Sequence, residues 1–226
     1  MVFLNIDLGE LPDEPEALYA LAQLANVACG GHAGDEASMR QAIALCRRYA
    51  TRLGAHPSYP DREGFGRRRS AMAHDALRDC ISDQCARLAA IASDLGQRVD
   101  YVKAHGALYH AAREDQDVAE ALVSGATAAL GLDVTFIGPA QGALAALTTQ
   151  KAIPLAREGF ADRATRPDGT LVPRGEAGAV LTDPQAAAHR ARVLAASGEV
   201  ETICVHGDTP GAVAIATAVR RALSEA

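Results

Sequence analysis

Tryptophan is absent from the 226 residues and aromatic side chains make up 4% of them, so no row of rings is available on which bases or sugars would stack. No apolar run approaches the ~20 residues that cross a bilayer. The opening Met1-Val2-Phe3-Leu4-Asn5-Ile6-Asp7 has neither the basic nor the long apolar part of a secretory signal. A soluble, cytoplasmic chain with no membrane contact is therefore expected. The five cysteines (Cys29, Cys46, Cys80, Cys85, Cys204) are odd in number and form no C-x-x-C pair, which excludes a disulfide framework or a zinc knot and leaves each as a small buried apolar residue. Lys and Arg number 22 against 28 Asp and Glu, a net charge of −6, so the basic face of a nucleic-acid binder is missing. The one dense basic run, Arg67-Arg68-Arg69, is enough to clasp a single carboxylate or phosphate. Neither G-x-x-x-x-G-K-[ST] nor a post-strand G-x-G-x-x-G occurs, so ATP or NAD binding by this chain alone is not indicated.

What is present is a chain of ordinary globular proportions, 49% hydrophobic and 22% charged, with no proline- or serine-rich linker to divide it. One domain over residues 1–226 is expected. Short Val-, Ile- and Ala-rich runs alternate with longer helical segments, the pattern of repeated β-α units. Strands are expected near 2–7, 25–29, 52–56, 100–105, 133–138, 153–158 and 202–206, with an eighth candidate at 178–181. Helices are expected near 14–23, 36–51, 74–96, 116–130, 139–149, 183–196 and 210–224. Asp183-Pro184 and Thr209-Pro210 each read as a capping side chain followed by proline at the first helical position. Seven or eight such units fit an α/β fold built as a single β/α barrel, with an open doubly wound sheet as the alternative. Two long irregular stretches, 57–73 and 159–178 (with Pro167, Gly169, Pro173, Gly175 and Gly178), are candidates for functional loops.

Ionisable residues gather where the strands end. The first strand carries Asn5 and Asp7 and runs into Gly9-Glu10, and the second leads from Asn26 to Cys29-Gly30-Gly31-His32-Ala33-Gly34-Asp35. The third ends in His56, the fourth in Lys103 and His105, and the last in His206-Gly207-Asp208. Residues two apart on a strand share a face, so Asn5 with Asp7, Lys103 with His105 and His206 with Asp208 point to the barrel axis while Leu4 and Ile6 point to the helices. A lone strand-end histidine is often structural. Four of the seven, beside carboxylates and a lysine, would be a costly burial without a ligand. His74, His110 and His189 fall on helices or loops and read as surface residues. The cluster suits either a divalent metal or acid/base work at a carbonyl, and spacing does not choose; an inward Lys103 favours stabilising an anion.

These residues carry a resemblance. Residues 26–35, His56 with Pro57-Ser58-Tyr59-Pro60-Asp61, Gly64-Phe65-Gly66-Arg67-Arg68, Val102-Lys103-Ala104-His105-Gly106-Ala107-Leu108-Tyr109, Phe160-Ala161-Asp162-Arg163, Asp168-Gly169-Thr170-Leu171-Val172-Pro173-Arg174 and Val205-His206-Gly207-Asp208-Thr209 together resemble the family of 5-oxoprolinase A-subunits, also called lactam-utilisation proteins. The chain departs from the family's pattern at Ile6, at Leu11-Pro12, at Gly31 and at Ala104. The resemblance implies a seven-stranded barrel of the glycoside hydrolase/deacetylase type and a role in the ATP-dependent opening of 5-oxoproline to glutamate. ATP is then a co-substrate of an assembly with B and C subunits.

On that resemblance, Asp7 or His56 is expected to orient the attacking water, His105 and Lys103 to stabilise oxygen or phosphate charge, and His206 with Asp208 to form a second acid/base pair. Arg67 or Arg163 would hold the carboxylate of 5-oxoproline or the phosphate of its phosphorylated form, with Asn5, Asn26, His32, Glu158 and Asp162 completing the substrate site. Two alternatives stand beside it: a stand-alone metal-dependent amidase or deacetylase using Asp7, His56 and His105, and a non-catalytic lactam-binding subunit. Sequence leaves open whether a divalent metal is held and whether the chain forms a homo-oligomer.

Overall fold

The computed structural model describes residues 2–166 and 170–225. Met1, Pro167, Asp168 and Gly169, all named above, lie outside them. Seven parallel strands, β1 (Phe3–Leu8), β2 (Leu24–Ala28), β3 (Arg52–His56), β4 (Val99–Lys103), β5 (Thr135–Gly138), β6 (Leu155–Phe160) and β7 (Thr202–His206), close into a barrel in chain order. β1 completes the ring by pairing with β7, with Asn5 opposite Cys204 and Asp7 opposite His206. The open doubly wound alternative is thereby excluded. The eighth strand candidate at 178–181 fails: Val180 forms only an isolated antiparallel bridge to Arg163.

Helices α1 (Glu16–Leu21), α2 (Glu36–Tyr49), α3 (His74–Asp94), α4 (Gly106–Glu114), α5 (Gln116–Leu130), α6 (Ala143–Gln150), α7 (Pro184–Ser197) and α8 (Ala212–Ser224) form the outer layer. In α2 the spacing of Met39, Ala42, Ile43 and Cys46 builds one buried stripe, and Asp35 caps it by accepting from the Ser38 amide at 2.8 Å. Asp183 accepts from the Gln185 amide and places Pro184 in the first turn of α7, as the sequence predicts. The parallel expectation for Thr209 is overturned. α8 is capped by Gly211 without a side-chain bond, and the Thr209 hydroxyl instead donates to Asp162 at 2.7 Å. Helix α4, not among the helices expected from sequence, begins directly after His105. No helix among the described residues is long and apolar enough to cross a membrane.

Strand parity divides the apolar from the polar. Leu4, Ile6, Ala25, Val27, Leu53, Ala55, Val102, Ala104, Phe136, Ile203 and Val205 pack outward against the helices, each large aliphatic side chain contributing about 1.5–3 kcal/mol on burial. A separate apolar plug fills the lower barrel: Leu24, Tyr101 and Ile137, with Phe3 and Ala156 against them. Gly54 makes room for the Tyr101 ring, since a Cβ there would collide with its Cε2. Two residues further along the same strands the interior turns polar.

Candidate functional site

Above the plug, Asn5, Asn26, Lys103, Glu158, Thr202 and Asp7 form a buried network. Asn5 Nδ2 donates to Glu158 (3.0 Å) and Thr202 (2.8 Å), and Asn26 Nδ2 donates to Asn5 (2.8 Å) and Asp7 (2.6 Å). Lys103 Nζ lies 2.9 Å from Asp7 Oδ1, 2.8 Å from Glu158 Oε1, 3.1 Å from Asn5 Oδ1 and 3.0 Å from Cys204 Sγ. An ammonium has three hydrogens, so these neighbours use all of them. The lysine fixes the position and charge of Asp7. Burial alone would raise the Asp7 carboxyl, but Lys103, His56 and His206 outweigh it and hold it well below the usual carboxylate range. Cys204, expected to be a bland apolar residue, belongs to this polar interior; burial and the nearby Asp7 push its thiol up.

Three histidines and Glu10 meet beside Asp7. His32 Nε2 is 2.9 Å from Glu10 Oε1, His105 Nδ1 is 3.1 Å from the same oxygen, and His56 Nε2 is 3.7 Å from it and 3.5 Å from Asp7 Oδ2. The His32 and His105 rings stack at 3.6 Å and 4°. Burial pushes the His32 imidazole down to about 4 and lowers His105, whereas for His56 the effect of burial is exceeded by the Asp7 charge, which raises it. The loop after β3 secures the cluster: the Phe65 carbonyl accepts from His105 Nε2 at 2.9 Å. Gly66, at φ +65°, comes so close that a Cβ would meet His32 and His105 at 2.9 Å. The four residues offer ligand atoms to a metal ion within one small volume, as do Asp7, Cys204 and His206.

His206 pairs with Asp162, not with Asp208. Its Nδ1 donates to Asp162 at 2.9 Å, its backbone N–H to the same carboxylate at 3.0 Å, and Thr209 adds a third bond. These contacts overcome the effect of burial and hold the Asp162 carboxyl below its ordinary value. They also leave His206 Nε2 as the acceptor, 3.8 Å from Asp7 Oδ2. β7 stops at His206, so alternation no longer applies to Asp208, which binds Arg67 and, at 3.3 Å, Arg174.

A cavity of about 600 Å³ opens over this floor. Asp7, His56, Lys103, His105 and His206 line its base, while Arg67, Arg69, His110, Arg163 and Arg174 line its wall. Arg163 is held by the carbonyls of Ala179 (3.2 Å) and Val172 (2.6 Å). Arg68 points away onto Asp61, so the basic triplet does not act as a unit. Asn5, Asn26, His32, Glu158, Asp162 and Asp208 lie outside this lining. His110, read as a surface residue, is part of the wall. Sequence reasoning gives no role to Arg174, which sits in an irregular loop. It places Glu10 only as following the strand, although just past Gly9, at φ +71°, its carboxylate meets the three histidines.

The LamB/YcsF family profile matches residues 2–226. The protein named as the A subunit of 5-oxoprolinase in Methylococcus capsulatus is 40% identical over 238 residues, covering 98% of this chain and 91% of that one. The lactam utilization protein of Thermus thermophilus superposes with a TM-score of 0.91 at 30% identity, covering 99% of this chain and 96% of the other. A family 4 carbohydrate esterase from Streptomyces lividans, at TM-score 0.50 and 11% identity over 99% of this chain and 88% of the esterase, shares the barrel fold alone.

Proposed function

Because the chain belongs to the LamB/YcsF family, we propose that it is the A subunit of a 5-oxoprolinase, which hydrolyses the lactam bond of 5-oxo-L-proline to give L-glutamate. ATP is the co-substrate of the assembled enzyme, and separate B and C subunits supply the nucleotide site for which this chain has no motif. Amide resonance protects the ring. Transfer of a phosphoryl group to the carbonyl oxygen removes that protection, water adds to the carbonyl carbon, and the ring nitrogen leaves with a proton. A second water then cleaves the resulting acyl phosphate to glutamate and phosphate.

The observation that supports this reading is an acid/base floor joined to a cationic wall in one cavity. His206, oriented by Asp162, takes a proton from water and returns it to the leaving nitrogen, a role worth about 10²–10⁴-fold. Asp7, at the base of the cavity, holds the water against the reacting carbon. Lys103 acts through Asp7 as a positioning residue, since its hydrogens are already engaged. Arg67, Arg163 and Arg174 face the substrate carboxylate and the phosphoryl oxygens. The test is glutamate release from 5-oxoproline, with and without ATP and the B and C subunits. Release that needs all of them is the expected result, and release by the lone chain without ATP would overturn the reading.

A further inference from the structure

The geometry points to a divalent transition-metal site of zinc-like preference formed by Glu10, His32, His56 and His105, side chains at or just past the ends of four consecutive strands. Four donors about 2.0–2.2 Å from a tetrahedral ion stand about 3.3–3.6 Å from one another. Here Glu10 Oε1 is 2.9 Å from His32 Nε2, 3.1 Å from His105 Nδ1 and 3.7 Å from His56 Nε2, and His56 Nε2 is 3.0 Å from His105 Nδ1.

The hydrogen bonds around two of the three rings point the same way. His56 Nδ1 is 2.8 Å from the Lys103 carbonyl and His105 Nε2 is 2.9 Å from the Phe65 carbonyl. A carbonyl only accepts, so each ring places its N–H there. The lone pairs of His56 Nε2 and His105 Nδ1 are left facing each other and the Glu10 carboxylate. Three such electron pairs require a cation between them, and an imidazole whose far nitrogen is tied to a backbone carbonyl is the usual setting of a metal ligand. The donor set of three imidazoles and one carboxylate, without thiolate, suits zinc, cobalt or nickel rather than magnesium or calcium. Lys103 does not oppose the ion, because its charge is compensated by Asp7 and Glu158. A single proton shared by the two rings is the other cation that would satisfy these atoms.

Calorimetric titration of the chelator-treated full chain with zinc chloride separates the two, and because it needs no partner subunit or lactam its failure is distinct from failure of the proposed function. One zinc per chain is expected, with no comparable uptake of magnesium chloride. Glu10→Gln and His105→Gln should each weaken zinc binding about 100-fold or more, while His206→Gln, outside the four, leaves it unchanged. In the cobalt-loaded chain an intense tetrahedral visible spectrum should be lost in Glu10→Gln. Absence of stoichiometric zinc uptake by the wild-type chain overturns the proposal however the variants fold, as does binding that Glu10→Gln leaves intact.

Discussion

The lower and upper halves of the barrel interior are built from the same strands, two residues apart, and are chemical opposites. Below, Leu24, Tyr101 and Ile137 form a dry plug. Above, Asp7, Lys103 and Glu158 form a buried chain of charges ringed by asparagines. The plug gains free energy by leaving water, whereas the polar layer must offset the loss of water with paired charges and hydrogen bonds. The contrast locates each function: one half closes the barrel, and the other holds groups in states that water would not permit.

Removing the central charge breaks the comparison most severely. Lys103→Met would leave Asp7 and Glu158 buried without their counter-charge, and a loss of about 3–5 kcal/mol in denaturant unfolding is expected, together with loss of glutamate formation. Gly54→Ala attacks the lower half by driving a methyl into Tyr101. It should cost about 1–3 kcal/mol yet leave activity per folded molecule near that of the wild type, and an equal loss of activity would erase the division between the halves. Asp162→Asn gives the smallest effect on stability. The Asp162 carboxyl is held below its ordinary value, so its contribution is full above the unfolded value of about 3.9 and is lost as pH falls through the lower folded value. Wild type should exceed the variant by on the order of 1 kcal/mol at neutral pH, and the gap should close in melts carried below pH ~4.

The barrel is legible in the sequence because parity is a strong signal wherever a strand is regular. Asn5 and Asp7 against Leu4 and Ile6 decide which way β1 faces, and the strands at 52–56 and 202–206 match their expected limits. Parity has no hold beyond the last strand residue. Glu10 lies past the Gly9 turn, Asp208 lies past the end of β7, and Arg174 sits in a loop without period. Helix α4 escapes the sequence for a related reason: His105-Gly106 reads as a turn, and no capping side chain announces the helix that follows. The Thr209 cap fails because α8 begins two residues later than the sequence suggests, with Gly211 at its cap, which leaves the Thr209 hydroxyl to donate to the buried Asp162.

The central claim is that the upper half performs the lactam chemistry through His206 and Asp162. It is tested most directly by glutamate release from 5-oxoproline and ATP in the chain reconstituted with its B and C subunits, comparing wild type with His206→Gln. The account predicts a loss of about 10²–10⁴-fold with the unfolding midpoint little changed. Release at the wild-type rate by the variant would contradict it.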